Sequence, residues 1–158
     1  ELWMGNTTEK VGEWISQGNF NSTDDLNKKI KKLGKYDAIL VPAALSDFIP
    51  TKNKGKISSN KIPEIKLKKA KKIIEMIRKK HNGILCAFKL ESGLKDSDLI
   101  GKGKTLLKNS DFVVANHSEV LGNEKTKLAI ITKKSTVWIE DTKINASKSI
   151  LKEISKKI

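Results

Sequence analysis

Residues 36–44 read YDAILVPAA. Ala38-Ile39-Leu40-Val41 is an unbroken apolar run stopped by Pro42 and two alanines. A strand with one wet face alternates apolar and polar residues; an unbroken run implies cover on both faces, as in a parallel sheet. Two more such runs follow, GILCAFKL at 83–90 and DFVVANHS at 111–118.

Helical patterns separate these runs. In NSTDDLNKKIKKLG (21–34), Ser22 caps with Asp25 three residues on, the acids lie in the first turn, and Leu26, Ile30 and Leu33 form an apolar stripe. Ala70, Ile73, Ile74 and Ile77 repeat at helical spacing. Ser97 is the expected cap of a helix through about 109, with Leu99, Ile100, Leu106 and Leu107 inward. VGEWISQGNF (11–20) and IPEIKL (62–67) are candidate short strands, and residues 49–61 read as a loop. KLAIIT and TVWIED flank Lys133-Lys134-Ser135 as a hairpin, and ASKSILKEISKKI closes with a helix. The order predicts an α/β fold: a Rossmann-like, mostly parallel sheet with an antiparallel edge hairpin. The expectation is a single α/β domain over residues 1–158.

Composition narrows the function. The 158 residues carry a net charge of +14, and the basic residues are lysines apart from Arg78. Lysine supplies point charges rather than the bidentate base contacts of a sequence-specific DNA reader. The charge suits anionic small molecules, non-specific nucleic-acid attraction or a solvated surface. No stretch approaches the roughly 20 apolar residues of a membrane span. The single cysteine, Cys86, excludes an internal disulfide and fits a reducing cytoplasm.

Ligands of open α/β sheets bind outside the carboxyl ends of the strands. Those ends fall at Ala43–Asp47, Phe88–Glu91 and Ala115–Glu119, each polar where the apolar run stops. In AALSDFIP (43–50) the alanines admit a ligand to the backbone, and Asp47 can accept protons from it or serve as a turn residue. Lys56 is a loop cation able to close over an anion. DLIGKGKT (98–105) approaches a phosphate-binding P-loop, but Asp98 stands where that pattern needs its first glycine, and no strand directly precedes it. Lys104 and Lys108 share one face of the expected helix. Phe88 is suited to stacking or to the core, and Asn116 to a ligand contact or a turn. His81, His117 and Cys86 do not form a metal-binding pattern, and no nucleophile–base arrangement stands out.

Together these pieces resemble phosphopantothenoylcysteine synthetase, the second half of the bifunctional bacterial and archaeal coenzyme A enzyme. AALSDFIP resembles its Ala-Ala-Val-(Ala/Ser)-Asp-(Tyr/Phe)-x-Pro motif. GKISSN stands in place of its Lys-Ile-Lys-Lys loop. ILCAFKLES is similar to its Gly-Phe-x-x-Glu-(Thr/Ser) strand end, and KTLLKNSDFVVANHSEV to its Lys-x-x-x-Lys-x-x-Asp-x-(Ile/Val)-(Val/Cys)-Ala-Asn run. The resemblance implies joining of 4'-phosphopantothenate to cysteine, with CTP in the bacterial and archaeal branch and Mg2+, the choice between CTP and ATP in this chain being left open by the sequence. It implies an acyl-cytidylate intermediate, release of pyrophosphate and CMP, and a cytoplasmic homodimer with residues 49–67 at the interface. Carried over by position, Ala43, Asp47, Phe88, Lys104 and Lys108 correspond to nucleotide contacts. So do Lys71-Lys72-Ile73-Ile74, where the family has Pro-Asp-Ile-Leu. Lys56 corresponds to the closing-loop lysine and Asn116 to the Asn of the Ala-Asn motif.

The departures are specific. Lys71-Lys72 replaces Pro-Asp, Lys89-Leu90 follows Phe88 in place of small residues, Ser58-Ser59 replaces loop lysines, and His117 stands where Asp is common. Nothing in residues 1–35 matches the family's first strand and Ser-Ser-Gly-type nucleotide loop. The decarboxylase half, which carries FMN in the family, is absent. The expectation is a synthetase fragment beginning after the first βα units and inactive alone. The alternative is a Lys-rich nucleic-acid-binding or dimerisation module without catalysis.

Overall fold

The computed structural model describes residues 1–8, 10–51, 55, 62 and 64–158. In chain order the elements are β1 (Leu2–Met4), β2 (Gln17–Asn19), α1 (Thr23–Lys31), β3 (Ala38–Val41), β4 (Phe48–Pro50), β5 (Leu67–Lys69), α2 (Ile73–Arg78), β6 (Ile84–Glu91), α3 (Asp96–Leu106), β7 (Phe112–His117), a 3-10 turn (Ser118–Val120), β8 (Lys125–Ile131), β9 (Thr136–Thr142) and α4 (Lys143–Ser155). They form two compact units, residues 1–32 with 45–73 and residues 33–44 with 74–158.

The second unit holds a five-stranded sheet in the order β3-β6-β7-β8-β9. β3, β6 and β7 run parallel, and β8 and β9 add an antiparallel edge hairpin. The α/β class with a parallel core and antiparallel edge is therefore as the sequence predicts. The apolar runs are unbroken because both faces are covered. Cys86, Phe112, Val114, Leu128 and Ile130 meet Ala146, Ile150 and Ile154 of α4 on one face. Ala87, Val113, Ala115, Ala129 and Ile131 meet Leu99 of α3 on the other. Phe112 and Leu85 are fully buried; each such side chain contributes about 1.5–3 kcal/mol by leaving water. Burial also pushes the Cys86 thiol far above its ordinary pKa, consistent with an inert core residue.

Several boundaries differ from the sequence reading. α3 starts at Asp96, so Ser97 lies inside it rather than capping it. The helix closes at Leu106 because the next turn tightens. Leu107 N–H donates to Lys104 O (3.1 Å) and Asn109 N–H to Leu106 O (3.0 Å), and Ser110 Oγ donates to Leu106 O as well (2.9 Å). Lys108 therefore stands in a turn beyond the helix. The DLIGKGKT stretch is helical throughout its length, from Asp98 to Thr105, and not a phosphate loop. Gly103 is buried in α3 because a Cβ there would sit 2.6 Å from Ile131 Cδ1. α4 begins three residues before the expected Ala146, capped by Thr142 Oγ1, which accepts from Asn145 N–H at 3.3 Å.

At the amino end of β6 the chain's one arginine ties three segments. Arg78 donates to Asp111 Oδ2 (2.9 Å), Gly83 O (2.6 Å) and His81 O. Asp111 Oδ2 also accepts from Leu85 N–H at 2.8 Å.

The first unit contains the parallel pair β1–β2 and the antiparallel ribbon β4–β5. α1 is capped by Ser22, as its sequence predicts, and buries Leu26 and Ile30. The candidate strand at 11–20 narrows to Gln17–Asn19, because Gly12–Ile15 turns with Ile15 N–H donating to Gly12 O at 3.0 Å. The strand expected at 62–67 forms instead as Leu67–Lys69. α2 starts only at Ile73, because Ala70 N–H donates to Asp47 O (2.8 Å) and holds that approach outside the helix. No helix among the described residues is long and apolar enough to cross a membrane.

Candidate functional site

The carboxyl end of the parallel strands in the second unit is stepped. Val41, the last residue of β3, is level with Ala87, and β6 continues to Glu91. β6 thus overhangs β3 by four residues, still paired to β7 up to Glu91 and His117. Side chains alternate between faces along this overhang. Phe88 falls on the α4 face, half-buried against its core. Asn116, level with Leu90, has the parity of Phe112 and Val114 and shares that face. The register thus places Phe88 and Asn116 near each other beside the step, and Ala43 follows β3 as an exposed residue.

The α3 face of the same end is ionic. Glu91 receives Lys89 Nζ at 2.7 Å and Lys102 Nζ at 3.0 Å. Their hydrogen bonds, that of Lys89 first, hold its carboxyl below the ordinary glutamate value. Asp96 takes Lys127 Nζ on one oxygen (2.8 Å) and His117 Nε2 on the other (2.9 Å). Lys127 and then His117 hold the Asp96 carboxyl low, and Asp96 in turn raises the Lys127 amine. Lys127 Nζ also lies 4.7 Å from the centre of the Trp138 ring, a cation–π contact. Glu119 accepts from Gly93 N–H at 3.2 Å, and its carboxyl is lowered by its own backbone N–H and that of Gly93.

Lys104 and Lys108 lie elsewhere on this unit. Lys104 is eight residues beyond Asp96, about 12 Å along the helix toward the amino end of β7. Both lysines are exposed. Ile74 packs on the α3-side core. A groove of about 620 Å³ opens at the amino ends of the strands, between Asp37, Gly83, Asp111 and Lys157, and no candidate residue lines it.

In the first unit, Asp47 Oδ1 pairs with Lys72 Nζ at 2.6 Å, two candidate contacts on each other. Lys71 is exposed and Ile73 buried. Lys56 lies outside the described residues. Among the described residues no three His, Cys, Asp or Glu side chains gather as a metal site.

The family of the DNA/pantothenate metabolism flavoprotein C-terminal domain matches residues 1–158. The chain belongs to that family. The resemblance read from AALSDFIP, ILCAFKLES and the Ala-Asn run is borne out. Two coenzyme A biosynthesis bifunctional proteins CoaBC are similar to this domain. That of Methanocaldococcus jannaschii is 31% identical over 136 residues, covering 83% of this chain and 34% of the relative. That of Borreliella burgdorferi is 34% identical over 157 residues, covering 94% of this chain and 40% of the relative. The chain thus spans well under half the length of these curated relatives. In fold it is similar to the DNA/pantothenate metabolism flavoprotein of Streptococcus pneumoniae (TM-score 0.82, 21% identity, 98% of this chain and 79% of that one). It is also similar to a Cab2 mutant in complex with phosphopantothenate-cysteine (TM-score 0.67, 18% identity, 89% of this chain and 51% of that one).

The reading of the sequence did not single out Glu91, Asp96, Lys102, Glu119 or Lys127 as a group. Glu91 lies within the quoted strand-end motif. Asp96 and Lys127 are 31 residues apart and meet only through the fold.

Proposed function

We propose that this domain forms part of a phosphopantothenate–cysteine ligase of coenzyme A biosynthesis. The supporting observation is the membership of all 158 residues in a family whose curated relatives are CoaBC proteins. In this reading the carboxylate of 4'-phosphopantothenate attacks the α-phosphorus of CTP, and the bond to pyrophosphate breaks. The cysteine amine then attacks the acyl carbon, the acyl–phosphate bond breaks and CMP leaves. Mg2+ belongs here as a companion of the CTP phosphates, and FMN to a decarboxylase half outside this domain.

The residues suit divided tasks. Phe88 offers a ring beside the step at the end of β3 for a planar base, and Asn116 on the next strand offers donor and acceptor. Asp47, Ala43 and Lys71–Ile74 carry over as nucleotide contacts, with Lys72 reaching the nucleotide only by leaving Asp47. Lys104 and Lys108 carry over as cations for phosphate. Lys56 carries over as the cation facing the reacting acyl phosphate, where added positive charge favours the departing anion. We also propose a homodimer built on the β4–β5 ribbon. Phe48 and Leu67 are 54% and 59% exposed on that ribbon, and Ile65, two residues before β5, is 72% exposed, which is unusual for large apolar side chains so close together.

The domain is to be titrated with CTP, ATP and a single-stranded oligonucleotide while its amide spectrum is followed. CTP-selective shifts at Asp47, Phe88 and Asn116 are expected. Polymer binding with a steep salt slope and no nucleotide preference would instead favour a nucleic-acid module. In the native-length polypeptide, Lys56→Gln is expected to form the acyl-cytidylate and turn it over slowly. Equal loss of both half-reactions would refute a closing role for Lys56.

A further inference from the structure

The loop joining β6 to α3 is only four residues, Ser92 to Lys95, and it turns at Gly93 with a φ of 66°. The chain leaving β7 ties down both halves of that turn. Gly93 N–H donates to Glu119, and Asp96, the first residue of α3, meets the His117 ring. The second Asp96 oxygen is taken by Lys127 of β8, itself seated on Trp138 of β9. Asp96 therefore joins α3, β7 and β8 at the end of the sheet where open α/β folds take their ligands.

We propose that Asp96 and His117 are positioning residues for the ligation, setting the spacing between the β6–α3 loop and the exit of β7. The proposal rests on the ligase reading of this site. An aspartate at position 117 would face Asp96 as a like charge, whereas histidine can donate to it.

The test compares the amide spectrum of the 158-residue chain with those of its Asp96→Asn and His117→Asn variants. The expected result is that both substitutions move the Gly93 amide, although neither residue touches it. An unmoved Gly93 amide in both variants would overturn the clasp. In the native-length protein, both substitutions are expected to raise KM for phosphopantothenate by a factor of about 2 to 5, the worth of a partly exposed charged contact, with the smaller change in kcat. His117→Gln, which can still donate to Asp96, should recover part of that KM. A fall in kcat and thermal stability together, with KM unchanged, would mean a merely structural contact. Absence of product in the unaltered native-length protein would remove the ligase reading and the positioning role with it, while the amide comparison would still decide the clasp itself.

Discussion

Two glycines in one helix are expected to respond to the same substitution with opposite signs. Gly101 and Gly103 both lie in α3, and glycine in a helix costs about 1 kcal/mol relative to alanine. A Cβ at Gly101 meets nothing within 4 Å, so Gly101→Ala should stabilise by roughly that amount. A Cβ at Gly103 would stand 2.6 Å from Ile131 Cδ1, 3.6 Å from Ala115 Cβ and 3.7 Å from Val113 Cγ1. Ile131 is fully buried, so its methyl must displace other core atoms rather than swing into water. Overpacking of this kind costs about 1–3 kcal/mol, against a helix-propensity gain of about 1. Gly103→Ala should therefore lose about 1 kcal/mol net, leaving the variants about 2 kcal/mol apart. With a urea dependence of about 2 kcal/mol per molar, their midpoints should differ by about 1 M. Urea unfolding followed by far-ultraviolet circular dichroism measures this directly. Equal stabilisation by both substitutions would refute the close approach of α3 to the sheet at Gly103. Loss of the proposed CTP binding in Gly101→Ala, with the fold intact, would revive the phosphate-loop reading of DLIGKGKT.

Three further outcomes follow from contacts described above. Arg78→Met should cost about 2–3 kcal/mol, since it removes a half-exposed ion pair and the donors to two carbonyls; Arg78→Lys should recover under half of this, because an ammonium lacks the planar fork. Full recovery in urea unfolding would show that charge alone matters. Replacing Ile65 and Leu67 by lysine should raise the dissociation constant of the proposed dimer at least about tenfold, since a two-fold interface counts each change twice. Sedimentation equilibrium measures it, and an unaltered chain that is monomeric at high concentration removes the premise. Glu91 and Asp96 titrate in the fold below their ordinary values of 4.5 and 3.8, so their contribution to stability is full above those values and is lost as pH falls through the lowered ones. Lys127 is raised above 10.5, so its share is present below that value and is lost only as pH rises past the raised one. Melting temperature should thus fall on the acid side, and Asp96→Asn should flatten that limb; an unchanged acid limb in that variant would contradict the assigned cause.

The sequence made the sheet legible and left the ionic side of the site hidden, for one reason. Burial on both faces acts on consecutive residues, so Ile84–Ala87 and Phe112–Ala115 show it as local apolar runs. A helix end is set by a few hydrogen bonds, and the 3-10-type closure that leaves Lys108 beyond α3 has no comparable pattern. Glycine spacing misleads similarly: GKGK looks like a loop for phosphate, whereas Gly103 is small because a helix touches a sheet there. The Asp96–His117–Lys127 contact spans 31 residues of sequence and three elements, and only the fold assembles it. Position 117 joins the two levels. In the sequence His117 is simply the polar residue after the apolar run of β7. In the fold it faces a carboxylate on the first turn of α3, where a second carboxylate would repel. His117→Asp should therefore loosen the loop at Gly93, unless Asp96 is replaced by asparagine in the same chain.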